Sequence, residues 1–250
     1  MAQAQADIAA IIDAIAHKMA VEQGVEVVRV PGAVGLRYRE PLPHPWPRAV
    51  ELSVEILAAD LASAAKAGAQ ILADRHETHR TSVFGCDVYA DGEAIAAAGY
   101  DGCWNTALLA ADLAQAPRTR VSDLAVERVE RADQVAELNA LDPEFLSHAA
   151  GLGRPDFIDL LGRRAGRAVA KGQIVCLAGQ AAYVADMFTH PVARNAGYAG
   201  AILSALHDEA AARGAWRAVL IPSQAAAESR FYEKRGYSLV CPRAVLLSKA

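Results

Sequence analysis

Apolar positions along this chain alternate between a helical and an extended period, and the order of the two predicts the elements. Residues 4–22 are Ala-rich at helical spacing, with Asp7, Asp13, His17 and Lys18 spread through them, and the pattern stops at Gly24. VEVVRV (25–30) and VGLRYR (34–39) read as extended, and a Pro-rich loop occupies Pro41–Pro47. ELSVEIL (51–57) leads into an Ala-rich helix to about residue 74. A strand near Thr81–Asp87, a short helix and an apolar strand near 103–110 follow. ADLAQAPRTR (111–120) loses the periodicity and contains Pro117, so it reads as a linker. Beyond it the pattern predicts a strand over 121–129, helices near 131–140 and 155–164, and strands at 173–179 and 181–189. A helix at 197–213, a strand at 216–222, a helix at 224–235 and a pair of strands between Tyr237 and Ser248 complete the chain.

One internal similarity organises these elements. EAIAAAGYDGCWNTALLA (93–110) resembles ESRFYEKRGYSLVCPRAVLLS (228–248): each has a helical stretch, Gly-Tyr, a short strand, a Cys and an apolar run ending in Leu-Leu. Aligning Gly99-Tyr100 with Gly236-Tyr237 sets an offset of 137 positions, which also lays the helix near 61–76 over that near 198–213. The simplest account is two related units, 1–118 and 119–250, each within the usual domain size.

Composition narrows the class. With 53% hydrophobic and 22% charged residues, the 250-residue chain has ample material for packed cores. No apolar run approaches the ~18 residues of a membrane span, and residues 1–24 lack the pattern of a secretory signal. Cys86, Cys103, Cys176 and Cys241 form no C-x-x-C pair and sit mostly in strand-like runs, as buried thiols do. The expectation is a cytoplasmic protein, monomer or homodimer, without a membrane partner. The net charge of −4 divides into −6 for residues 1–118 and +2 for 119–250. Neither half has the basic stripe that nucleic acid requires, whereas the second half can accommodate a small anion.

The sharpest local feature is ADMFTHPVARNAGYAGAILSALHDEAAARG (185–214). A strand ends near Thr189, Pro191 stops it, and Arg194-Asn195-Ala196-Gly197-Tyr198-Ala199 turns into a long helix. A loop entering a helix start directs unpaired N–H groups outward, the helix dipole adds partial positive charge, and small residues permit close approach; together these grip phosphate. Arg194 adds a charge-assisted contact. A preceding strand that parts from its neighbour binds an extended amide-bearing ligand as an added strand would. Coenzyme A, with its diphosphate and two-amide pantetheine arm, has both features. Arg-x-x-Gly-x-Ala alone reads better as an ordinary strand–loop–helix connection, and the following element changes this: strand VLIP (219–222), then SQAAAESRFYEKRGYSL (223–239).

P-x-x-R-x-x-G-x-A followed by F-Y-E-K-R-G-Y, in this order and spacing, resembles the GNAT superfamily of acyl-CoA-dependent N-acyltransferases. The resemblance covers residues from about 121 to 250 and implies an α+β fold: tandem GNAT-like domains, each a mixed, mostly antiparallel twisted sheet flanked by helices. It implies an N-acetyltransferase moving an acyl group from acetyl-CoA, or another acyl-CoA, to a primary amine by direct attack in a ternary complex, without a metal. Backbone groups of Met187, Phe188 and Thr189 then hold the pantetheine arm, amides of Arg194, Asn195, Ala196, Gly197, Tyr198 and Ala199 cradle the diphosphate, and Ser229 adds a polar contact. Tyr232 matches the family tyrosine near the thioester sulfur, placed to protonate the departing thiolate. Asn195 and Ala196 stand where Gly and Lys or Arg are more common, which removes one cationic contact to phosphate.

Asp186 is the candidate general base, although strict alternation puts it on the face opposite Met187 and Thr189. Tyr183 and His190 are the alternative bases. Phe145, His148, Arg154 and Phe157 are available to an acceptor amine, and Trp46 and the His76–His79 pair suggest packing and solvation more than a site. In the first half, Ala58-Ala59-Asp60 replaces the phosphate loop and EAIAAAG lacks the tyrosine, so this half reads as a degenerate, non-catalytic copy. The alternative for the whole chain is an acyl-CoA-binding sensor or scaffold that performs no chemistry.

Overall fold

The computed structural model describes residues 2–43, 51–71, 79–143, 147–177, 181–222 and 226–248. Trp46, His76, Phe145, Ser223 and Ala225 lie outside this set. The chain divides into two compact units, Met1–Leu109 with Ile221–Glu228 and Leu239–Ala250, and Ala110–Leu220 with Ser229–Ser238. Both are mixed, mostly antiparallel sheets flanked by helices, which is the fold class expected from the sequence.

In the first unit, α1 (Ala2–Gln23) packs on the hairpin of β1 (Glu26–Val30) and β2 (Ala33–Pro43). The Pro-rich segment enters the sheet further than its prolines suggest: Leu42 and Pro43 pair with Leu52 and Glu51 of β3 (Glu51–Ala58) after an irregularity beyond Arg37. α2 (Leu61–Ile71) then crosses over to β4 (Arg80–Phe84), which is parallel to β3. Asp60 caps α2 by accepting the Ser63 N–H at 2.7 Å, so a carboxylate occupies the helix start that would face a phosphate in a working cradle. α3 (Gly92–Ala97) and β5 (Tyr100–Asp112) follow. The strand beside β4 comes from the far end of the chain: β11 (Ser238–Ser248) runs antiparallel to it, from Arg243 opposite Phe84 to Leu247 opposite Arg80. Ala244 and Leu246 close a core with Val54, Ile56, Ala64, Ala67, Ile71 and Val83.

The second unit is a meander of β6 (Ala125–Arg128), β7 (Phe157–Arg164), β8 (Arg167–Val175) and β9 (Ala182–Thr189), with β10 (Arg217–Leu220) parallel to β9. α4 (Ala132–Leu141) joins β6 to β7, and α5 (Tyr198–Ala212) joins β9 to β10. α6 (Ala226–Glu233) contributes its Ser229–Glu233 portion.

Two sequence expectations are corrected. Residues 157–164, within the stretch expected as a helix near 155–164, are strand β7, because Ala165-Gly166, with φ of 47° and 79°, closes a tight hairpin that sets Arg164 opposite Arg167. Successive positive φ values define the hairpin-compatible turn usually marked by Asn-Gly, and Ala in the first place hides it. The terminal segment is one strand, not two, since Pro242 sits just ahead of the paired stretch and its carbonyl accepts the Gly85 N–H at 2.7 Å.

The repeat has a structural counterpart. α2 and α5 begin at Leu61 and Tyr198, and β4 and β10 at Arg80 and Arg217, at the same separation as Tyr100 and Tyr237. Both tyrosines are buried, each follows a glycine with φ of 85°, and each hydroxyl meets a histidine Nε2: His79 at 3.3 Å, His207 at 2.7 Å.

A chain ending at Tyr237 should fail to fold its first unit. It loses buried Val245, Leu246 and Leu247, each worth about 1.5–3 kcal/mol, which together rival a domain's whole stability. Amide hydrogen exchange of β3 and β4 checks this, with loss of protection expected.

Candidate functional site

The second unit brings the motif residues together around β9. Its parallel pairing with β10 covers only Ala182 with Ala218 and Tyr183 with Val219. β9 continues to Thr189, beyond the stretch registered with β10. On the other edge, the register with β8 jumps from Ala185 opposite Gln173 to Phe188 opposite Lys171. Asp186 and Met187 together oppose Gly172, and Asp186 takes φ of 51°: a β-bulge, at a residue whose short side chain tolerates the left-handed region.

The bulge corrects the reading of Asp186, because alternation no longer runs unbroken from Asp186 to Thr189 and its face does not follow from counting. Asp186 is half-buried. The neighbouring side chains are structural. Met187 lies over Gly172 beside Ile202 and Leu206 of α5, where a Cβ on residue 172 would come within 2.5 Å of the Met187 sulfur. Phe188 packs against Val129, Val135, Leu138 and Leu161. With these side chains packed, Met187 and Phe188 leave mainly backbone facing the strand edge. Thr189 presents its carbonyl to Arg194 Nε at 3.2 Å, and its buried hydroxyl has no partner among the described residues.

The loop after β9 is built from turns. Ala193 N–H closes on the His190 carbonyl at 2.8 Å, Asn195 has φ of 64°, and Gly197 has φ of 84° at the N-cap of α5. Among the described residues no side chain caps this helix, so the first-turn amides are left to another acceptor. Arg194, Asn195 and Ala196 are exposed. The Tyr198 ring turns inward, 2% exposed, and its hydroxyl donates to Asp123 at 2.9 Å, which anchors the helix start and leaves only the Tyr198 backbone for binding. A side chain at 197 would be strained by the positive φ and would bring its Cβ to 3.2 Å from Val121.

α6 supplies Tyr232, largely buried, between edge-on rings: Phe231 with centroids 5.0 Å away and Tyr237 at 5.6 Å. Tyr237 in turn bonds His207 of α5, so the tyrosine is braced by the helix whose start forms the loop. Burial, with Arg118 nearby, pushes the His207 pKa down to about 4. Its Nδ1 is buried without a partner among the described residues, so a second ring proton would find no acceptor there. Ser229 is half-buried one helical turn before Tyr232. Arg235, which the motif reading passes over inside F-Y-E-K-R-G-Y, stacks on the Phe231 ring at 3.7 Å and lies against Gly200 in the first turn of α5. The signal for it in the sequence is a basic residue with a ring, not a carboxylate, four positions earlier.

Residues 178–240 match the family model described as acetyltransferase (GNAT) domain. The chain has a GNAT fold. A GCN5-related N-acetyltransferase from Kribbella flavida aligns over 96% of each chain at 18% identity, with a TM-score of 0.70. A second, from Sphaerobacter thermophilus, aligns over 87% of this chain and 76% of its own at 14% identity and a TM-score of 0.57. No curated protein sequence matches the chain. Among the described residues of this GNAT-fold protein, no three His, Cys, Asp or Glu side chains gather as metal ligands, and no helix is long and apolar enough to cross a membrane.

Two outcomes follow from this geometry. Gly197→Ala should lower stability by about 1–2 kcal/mol through the left-handed backbone, measured by urea unfolding. A histidine protonated in the unfolded chain near its ordinary pKa of 6.5 but in the folded protein only near 4 makes stability fall as pH drops between those values. The loss amounts to roughly 3 kcal/mol at full extent, and His207→Gln should flatten that slope in unfolding curves at pH 7 and pH 4.5.

Proposed function

We propose that the second unit is an N-acyltransferase that takes an acetyl or other acyl group from acyl-CoA and delivers it directly to a primary amine. The observation that carries this reading is the run of unregistered backbone from Val184 to Thr189 leading into the uncapped start of α5. A strand edge beyond its registered partner, followed by a helix N-terminus, suits a ligand with an amide-bearing arm and a diphosphate, in that order. Arg194 adds charge at the loop, and the match of 178–240 to an acetyltransferase domain falls on the same residues.

The chemistry asked of the chain is modest. The amine nitrogen attacks the thioester carbonyl carbon, the C–N bond forms and the C–S bond breaks. β9 backbone N–H groups at the bulge stabilise the oxyanion. Tyr232 donates its phenolic proton to the departing thiolate and regains one from solvent, while the proton lost by the amine passes to water or to Asp186. A covalent enzyme intermediate is disfavoured at the unit's own thiol, because burial pushes the Cys176 pKa up to about 11 and the nucleophilic thiolate is scarce at neutral pH.

Acetyl-CoA consumption, screened against amino acids, polyamines, aminoglycosides and peptide N-termini, tests the activity. With an accepted amine in hand, Tyr232→Phe should lower kcat roughly 10²-fold or more while calorimetric affinity for CoA stays as in the wild type. Unchanged turnover would remove Tyr232 from the chemistry, and wild-type protein that binds CoA but consumes no acetyl-CoA with any amine would favour a sensor.

A further inference from the structure

Arg235 is a cation placed where the fold gives it nothing to neutralise. Its Nη1 donates to the Phe231 carbonyl at 3.0 Å, and its guanidinium covers the Phe231 ring. Nε is buried and, among the described residues, has neither an acceptor nor a carboxylate partner. The edge formed by Nε and Nη2 lies against Gly200: a Cβ there would stand 2.9 Å from Nε and 2.7 Å from Nη2. Gly200 is in the first turn of α5, the turn whose amides lack a capping side chain.

This arrangement is unfavourable by itself. A positive group near a helix N-terminus opposes the dipole, and partial burial removes water that would otherwise offset its charge. Burial accordingly pulls the Arg235 pKa below its ordinary value. An anion at the start of α5 would reverse both costs at once, accepting from the first-turn amides and from the guanidinium. Arg235 is also three residues beyond Tyr232 on the same segment, so a ligand spanning the two would have its reacting end and its charged end held by one short stretch of chain. The loop itself offers Asn195 and Ala196, neither of which carries a charge.

We infer that Arg235, reaching across the hydrogen-only face of Gly200, supplies the second cationic contact to the diphosphate of acyl-CoA, alongside Arg194. The inference rests on the acyl-CoA reading above and adds a binding residue to it. It also accounts for the glycine at position 200, where the guanidinium occupies the space a methyl group would take.

Calorimetric titration of the full chain compares CoA, 3′-dephospho-CoA and S-acetylpantetheine, which lacks the diphosphate. Arg235→Gln should weaken CoA and 3′-dephospho-CoA about tenfold or more, the range of a lost charge-assisted hydrogen bond, and leave S-acetylpantetheine unchanged. Gly200→Ala, which displaces the guanidinium while favouring the helix, should reproduce that pattern with the arginine still present. Equal affinity of Arg235→Gln and wild type for CoA would overturn the inference, as would equal loss for all three ligands, or weakening of CoA alone, which would place Arg235 at the 3′-phosphate. If the wild-type protein binds none of the three, the acyl-CoA reading itself falls.

Discussion

A strand that keeps one neighbour and gives up the other carries a row of N–H and C=O groups that must find partners elsewhere. In this protein that strand is β9, and its parting from β10 after Tyr183 sets the terms for everything around it. The bulge at Asp186 and Met187 shifts its register with β8 at the place where support on the other edge is lost. Met187 and Phe188 hold the strand down from the α5 and α4 sides, so its edge stays open without the strand peeling away. The loop that follows needs left-handed backbone at Asn195 and Gly197 to bring the α5 amides round to the same region.

The helix start is held by a second set of contacts that owes nothing to the backbone ladder. The Tyr198 hydroxyl reaches Asp123, the Ser204 hydroxyl accepts the Thr119 N–H at 2.8 Å, and His207 reaches Tyr237. α5 is thereby tied at three levels to segments before and after it. Such ties keep amide groups aimed in advance, which is what a binding site for a charged ligand needs if ordering costs are not to consume its affinity.

Much of this is legible in the residues. Periodicity locates α1, α2, α4, α5 and α6, and the motif order picks out the loop and Tyr232 without any geometry. Legibility ends where a local rule is broken. Ala165 in a turn that normally advertises itself with Asn conceals β7, and a non-glycine bulge residue at Asp186 defeats the counting of strand faces. Arg235 and Gly200 are visible as letters, but their meaning is a juxtaposition of two helical segments 35 positions apart in the chain, which no window of sequence displays. The same holds for β11, whose place beside β4 has no local signal at all.

That last strand has a consequence for how the protein is made. His79 N–H meets Ser248 Oγ across 169 positions of sequence, so the sheet of the first unit waits for residues synthesised long after its own β3 and β4. Until then β4 presents an unpaired strand edge, the kind of surface that pairs with the wrong chain. The first unit therefore finishes folding only after the second has been synthesised, and in a crowded cell its survival depends on how quickly translation reaches β11.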